Sequence, residues 1–249
     1  MTEIVRADVL GQRVDAATME TAVAAILAEA RLGRAGWVCV ANVHMVTLAR
    51  RDAELRAAMA GAFLVTSDGM PLVWCLRRRH PWIERVAGPD LMRALCAEAG
   101  GLPIFLLGGA PAVAERLEAV LTATFPGLVI AGRASPVIAA RPGADAETQT
   151  RIKASGARLV LVGLGCPKQE LWMAANATGT GVLCIGVGQA FDLLAGTRAR
   201  APLWMQRAGL EWLHRLAQEP ARLGPRYLVS NLRFAWYLVV DRLGLRHQA

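Results

Sequence analysis

The stretch Phe63-Leu-Val-Thr-Ser-Asp-Gly-Met-Pro71 decides how the rest of the chain is read. The apolar run Phe63 to Val65 predicts a buried strand, a polar turn ends it, and Pro71 opens an apolar helix, a position at which proline is tolerated. In an open α/β sheet, ligands bind beyond the carboxyl ends of the strands. Asp68 therefore stands where a catalytic carboxylate is expected, and Gly69 lets backbone approach a ligand closely. Asp is also a favoured helix N-cap. The second reading of Asp68 is thus a cap for the helix that begins near Pro71.

Outward from this stretch, strands and helices alternate. Strands are predicted at Ile4 to Val9, Trp37 to Ala41, Pro103 to Leu107, Leu128 to Ala131, Arg158 to Gly163 and Gly181 to Ile185. Continuous apolar runs such as Trp37-Val-Cys-Val-Ala41 suit strands buried on both faces. Helices are predicted over Ala16 to Leu32, Met45 to Ala60 and Ala146 to Ser155, and after Pro71, Asp90, Pro111 and the loop Gly165 to Glu170. The alternation predicts an α/β fold, a mostly parallel Rossmann-like sheet with helices on both faces. After Ala195 no strand is evident: Trp204 to Gln218 reads as helix, Pro220 interrupts, and Tyr227 to Val240 is an apolar helical stretch. The expected division is an α/β catalytic core at 1–195 and a basic helical C-terminal appendage at 196–249.

The 249 residues carry a formal net charge of +8, and 54% are hydrophobic, enough for a large core. From residue 196 onward nine arginines, Arg246 the last, face three acids, so the tail holds +6 of the charge. Such a tail suits nucleic acid, an anionic membrane surface or a phosphorylated ligand. The five cysteines form no C-x-x-C pair, which suggests neither zinc nor a disulfide framework. The N-terminus lacks a signal-peptide apolar region and no run is long enough to span a membrane. The expected location is the cytoplasm.

Several function classes fall away. Gly163-Leu-Gly165 leads to Lys168 and Gly186-Val-Gly188 to Phe191, so no dinucleotide fingerprint is complete. There is no P-loop, the four histidines do not pair at ligand spacing, and no Asp-x-Asp follows an apolar strand. A bound diphosphate would have to be neutralised by arginines and helix N-termini. The tail mixes Arg with Trp and Tyr, which suits single-strand stacking, but it has no Lys. A non-enzymatic nucleic-acid-binding α/β protein with a basic tail is kept as the alternative.

The motifs converge on one family. Ala41-Asn-Val-His-Met-Val46, Ser67-Asp-Gly-Met-Pro71, Arg85-Val-Ala-Gly-Pro-Asp-Leu91, Phe105-Leu-Leu-Gly-Gly109, Gly163-Leu-Gly-Cys-Pro-Lys-Gln-Glu170, Gly186-Val-Gly-Gln-Ala-Phe-Asp192 and Leu210-Glu-Trp-Leu-His-Arg-Leu216 occur in the right order. With them the chain resembles the WecG/TagA/CpsF glycosyltransferases of bacterial surface-polysaccharide assembly, from about Val9 to about Phe234. The resemblance implies an inverting transfer of a sugar, N-acetylmannosamine type or glucose, and the missing metal motifs make the expected reaction metal-independent. The donor would be a UDP-sugar and the acceptor a polyprenyl-diphosphate-linked saccharide, with no other cofactor. It places the catalytic carboxylate on Asp68 and the site arginine on Arg85, and substrate contacts on Asn42, Gly108, Gly109, Gln169 and Gln189. Many relatives have Thr where this chain has Val40, so one hydroxyl contact is missing. The resemblance also puts diphosphate-binding arginines in the tail, where Arg215, Arg222 and Arg226 lie; Pro220 breaks any single helix joining the first two. The expected partners are the two substrates and the anionic inner face of the membrane, with self-association left open and no nucleic acid.

Overall fold

The computed structural model describes residues 3–243, so Arg246 of the basic tail lies outside the described residues. In chain order the strands are β1 (Asp8–Val9), β2 (Gln12–Arg13), β3 (Gly36–Ala41), β4 (Leu64–Ser67), β5 (Pro103–Gly108), β6 (Val129–Ala134), β7 (Leu159–Gly163) and β8 (Leu183–Gly186). The core helices are α1 (Met19–Arg31), α2 (Val43–Ala49), α3 (Ala53–Gly61), α4 (Met70–Arg77), α5 (Gly88–Glu98), α6 (Pro111–Thr124), α7 (Ala146–Ala154), α8 (Lys168–Thr180) and α9 (Ala190–Leu194). Three more follow: α10 (Leu203–Arg207), α11 (Glu211–Gln218) and α12 (Pro220–Arg242).

Six strands form one wholly parallel sheet in the order β4-β3-β8-β7-β5-β6. Side chains alternate across it, as strand geometry requires. Val38, Val40, Leu106, Leu161 and Ile185 pack with α1, α5 and α6 on one face. Cys39 and Val65 pack with α2, α3 and α4 on the other, and Val160, Val162 and Cys184 with α7 and α8 beside them. The fold is therefore α/β with helices on both faces, as the alternation predicts.

Several boundaries differ from the sequence reading. Ile4 to Val9 is not a strand of the main sheet: only Asp8–Val9 pairs, antiparallel, with Gln12–Arg13, and Val5 bridges Ala16. The helix predicted over Met45 to Ala60 breaks between Ala49 and Ala53, because the Asp52 carboxylate accepts from Leu55 N–H and starts a new helix. The strand predicted at Leu128 to Ala131 runs on to Ala134 alongside β5. Trp204 to Gln218 is two helices, turned at Gly209, whose φ is +73° and whose missing Cβ leaves room for Met70.

The free edge of β4 is covered, and the cover positions the site. Asp15 donates its N–H to Val65 O at 2.7 Å and accepts Val65 N–H on its carboxylate at 2.9 Å. The Arg13 guanidinium forks onto the same carboxylate at 2.8 and 2.9 Å. Further along the edge, Val86 N–H bonds to Ser67 O at 2.9 Å, and Glu84 N–H to Ala17 O at 3.2 Å. These bonds pin the loop that carries Arg85 against the carboxyl end of β4. At the other end of the chain, α12 packs on α2, and Phe234 enters the core among residues of α2, α3 and β1. Burying a side chain of that size contributes about 1.5–3 kcal/mol.

The Asp15 carboxylate is fully buried. Asp15→Ala should therefore cost about 3 kcal/mol, the lower end for removing one partner of a buried pair. Urea unfolding should show a lower midpoint at unchanged slope; a loss below about 1 kcal/mol, the range of exposed pairs, would contradict this account of the β4 edge.

Candidate active site

The carboxyl ends of β4, β3, β8 and β7 open into two adjoining chambers. Their shared wall includes Asn42, Asp68, Glu211, Arg215 and Arg226. One chamber, about 370 Å³, is lined by Met70, Pro71, Trp212, Tyr227 and Phe234, with His44 and Ser230. The other, about 270 Å³, is walled by the turns Gly163 to Gly165 and Gly186 to Gly188, with Gln169, Gln189, Arg198 and Arg222. The first is the more apolar by its lining residues, and the second is polar and arginine-rich.

Asp68 follows β4 directly, and its N–H bonds to Ala41 O at 2.7 Å. It does not cap α4: Gly69 is the N-cap residue and no side chain bonds the helix end. The capping role falls one strand over, where Asn42 Oδ1 accepts from Met45 N–H at 3.1 Å. Asp68 Oδ1 instead accepts from Arg85 Nη2 at 3.0 Å. Its side chain is 21% exposed, at the chamber wall. Burial pushes the carboxyl above its ordinary value, Arg85 opposes this, and the nearby Glu211 carboxylate adds to the rise.

Arg85 Nη2 is shared. It also donates to Glu211 Oε2 at 2.7 Å, and Glu211 Oε1 accepts from Arg200 Nε at 3.2 Å. Arg200 in turn forks onto both oxygens of Asp90 at 2.6 and 2.7 Å. A line of alternating charge thus runs from Asp68 through Arg85, Glu211 and Arg200 to Asp90.

The polar chamber collects like charges. Arg226 is held below the usual guanidinium value by burial, with Arg215 and Arg222 adding to the depression. The Nε atoms of Arg215 and Arg226 and the Oε1 of Gln189 are buried without a hydrogen-bond partner. Arg222 lies on the rim, more exposed and paired with Glu219. Gln169 is fixed at both ends of its amide: Oε1 accepts from Gly165 N–H at 3.1 Å and Nε2 donates to Glu170 Oε1 at 2.7 Å. Glu170 is fully buried, and that burial pushes its carboxyl up to about 7. In the apolar chamber His44 Nδ1 meets Ser230 Oγ at 2.9 Å, joining α2 to α12. Burial, with Arg226 nearby, lowers this imidazole to about 4, so it is neutral at physiological pH.

The structure brings Asn42, Asp68, Arg85, Gln169, Gln189, Arg215, Arg222 and Arg226 to the chamber walls. Gly108 and Gly109 are not among the lining residues. They end β5 against Gly163 and Phe191, where a Cβ on Gly108 would come within 2.8 Å of Gly163 backbone, so packing alone requires them small. Glu211, Arg200, Asp90 and His44 carry no role in the sequence reading. The available signal for Glu211 was its place inside the stretch Leu210-Glu-Trp-Leu-His-Arg-Leu216, one of three acids in a basic tail. Among the described residues, no three His, Cys, Asp or Glu side chains come together in a way that could hold a metal ion.

The arrangement can abstract a proton at Asp68 and neutralise an anion at Arg215 and Arg226, with both sites facing connected space. The model of the WecG/TagA/CpsF glycosyl transferase family matches residues 7–248, nearly the whole chain, and the chain belongs to that family.

Proposed function

We propose that this glycosyltransferase acts in bacterial surface-polysaccharide synthesis, moving a sugar from a UDP donor to a polyprenyl-diphosphate-linked saccharide with inversion. The observation that carries the reading is the polar chamber. Two buried arginine Nε atoms and a buried glutamine oxygen lack partners there, beside a carboxylate of raised basicity. Like charges gathered without an anion are costly, and a diphosphate relieves them; arginine's fork suits it and stays charged.

The donor's diphosphate is assigned to Arg215, Arg226 and the rim Arg222, with its sugar toward Asp68. Val40, an apolar wall of this chamber, faces that sugar without a hydroxyl. The acceptor saccharide is assigned to the apolar chamber across Asp68, where Trp212 and Tyr227 offer aromatic faces. Asp68 takes the proton of the acceptor hydroxyl as its oxygen attacks the anomeric carbon. The bond from that carbon to the UDP oxygen breaks, and the arginines stabilise the charge that develops on UDP. Glu211 has both oxygens engaged by Arg85 and Arg200, and Asp192, the other carboxylate on the polar chamber's wall, faces Arg198, so both are poorly placed to act as a second, nucleophilic carboxylate. A single base without a nucleophile supports inversion.

A location on the inner face of the membrane is also proposed. Among the described residues no helix is long and apolar enough to cross a membrane. Leu228, Leu232, Trp236, Val239 and Leu243 are exposed at helical spacing, on the side of α12 opposite Ser230 and Phe234. Arg222 and Arg233 flank this stripe and are exposed. An apolar stripe beside arginines suits a helix lying in an anionic interface.

Three outcomes follow. Asp68→Asn should lower transfer by about 10²–10⁴ while UDP binding, followed by calorimetry, persists; near-normal turnover would remove Asp68 as the base. Transfer should continue in excess EDTA, whereas Arg226→Ala should weaken UDP binding; strict dependence on Mg²⁺ or Mn²⁺ would contradict the arginine assignment. Replacing Leu228, Leu232 and Trp236 together by Glu should abolish salt-sensitive sedimentation with phosphatidylglycerol vesicles. Undiminished binding by that variant would exclude the α12 stripe as the membrane contact.

A further inference from the structure

We propose that Glu211 is a positioning residue that couples seating of the C-terminal helices to the base: by sharing Arg85, it sets how Arg85 holds Asp68. The inference rests on the reading of Asp68 as the base.

Arg85 presents one nitrogen, Nη2, to two carboxylates, at 3.0 Å to Asp68 and 2.7 Å to Glu211. The partners come from distant parts of the sequence, Glu211 lying 126 residues after Arg85. Glu211 is the first residue of α11 and its side chain is only 11% exposed. Its second oxygen is held by Arg200, which Asp90 grips with both oxygens. The carboxylate therefore has one orientation, set by α11 and α5 together. When α11 is displaced, Arg85 keeps a single anionic partner, Asp68, and the two can pair fully. A base bound in a full ion pair with a guanidinium is less basic and less free to accept a proton. With α11 seated, Glu211 takes the larger share of that nitrogen, and Asp68 is left reactive. The catalytic pair is thereby completed by the same helix that brings Arg215 to the chamber wall.

The charges that face Asp68 all enter this balance. Arg85 comes from the loop before α5, Glu211 and Arg215 from α11, and Arg226 from α12 across the chamber; His44 of α2 is neutral at physiological pH. Burial and Glu211 raise the Asp68 carboxyl, and Arg85 and Arg215 lower it. Removing the Glu211 charge takes away one raising influence and leaves Arg85 unshared. Both changes act in the same direction, towards a lower Asp68 pKa.

The test uses Glu211→Gln in the full chain. This variant keeps the shape of the side chain, and its amide oxygen can still accept from Arg200, which Asp90 continues to grip. The ¹³Cγ resonance of Asp68, assigned by its loss in Asp68→Asn, is titrated in both proteins. The transfer rate is followed against pH with UDP-N-acetylmannosamine or UDP-glucose, whichever the wild type turns over. The proposal expects the Asp68 midpoint and the acid limb of the rate to move to lower pH. It expects the plateau rate to fall about tenfold, well short of the loss for removing the base itself. Asp90→Asn, which loosens the grip of Arg200 on Glu211, should weaken the seating of α11 in hydrogen exchange and move the Asp68 midpoint part of the way in the same direction; a loosened α11 with an unmoved midpoint would overturn the proposal. An unchanged Asp68 midpoint in Glu211→Gln overturns the proposal, as does a shift to higher pH. Should Asp68→Asn retain transfer, the base reading fails on its own, and the resonance titration still decides whether Glu211 governs the Asp68–Arg85 pair.

Discussion

One guanidinium between two carboxylates holds the working parts of this molecule together. Arg85 joins Asp68, at the end of β4, to Glu211, at the start of α11. A partly buried pair of this kind gains little over apolar packing, but losing one member leaves a charge without its counter-charge. The three groups therefore constrain one another. The β4 edge cannot shift without moving Arg85, whose loop is bonded to Ser67 and Ala17. Equally, α11 cannot leave without stranding Arg85 on one partner and Arg200 on another. The position of Asp68, the shape of both chambers and the seating of the C-terminal helices are set together.

The same economy of charge explains the division between the chambers. Arg85 and Arg200 are consumed by internal pairs, and Arg222 is paired at the rim. Arg215 and Arg226 keep unpartnered atoms turned into buried space. Their charge is available for a ligand, while the apolar chamber beyond Asp68 offers aromatic faces and the neutral His44. In the proposed reading, a diphosphate on one side and a saccharide on the other meet at one carboxylate. Alongside, the outer stripe of α12 leaves large apolar groups in solvent. Exposed patches of this kind usually mark an interaction surface, and the proposed polyprenyl-linked acceptor would give a reason for it.

Much of this was legible in the sequence because buried parallel strands read as continuous apolar runs. The run before Asp68 and the run before Asn42 announce buried strands of one sheet, and the expectation that a ligand binds at the turns after them follows from that alone. The assignment of capping was not legible, since Asn42 and Asp68 occupy equivalent places after their strands and only the geometry shows that Asn42 caps. Ile4 to Val9 suggests a strand of the main sheet but pairs only with residues 12–16, and the β4 edge is taken instead by Asp15, whose carboxylate mimics a strand partner for Val65. The break before α3 was written in Asp52, a cap signal inside an otherwise helical pattern. Glu211 was the hardest to see. Its partner is 126 residues away, and no periodicity or local motif links a tail carboxylate to an arginine beyond β4. Packing between distant segments decides such a pair, and sequence spacing carries no trace of it.

The central claim is that one carboxylate, acting as a base between two chambers, performs a direct displacement. The anomeric configuration of the product tests it most directly. With an α-linked UDP-sugar as donor and a short synthetic prenyl-diphosphate saccharide as acceptor, the coupling constant of the new anomeric proton distinguishes glucosyl products, and the one-bond carbon–proton coupling distinguishes N-acetylmannosaminyl products. The account predicts a β-linked product. An α-linked product would mean retention, by two displacements or by attack on the leaving-group face, and would contradict it.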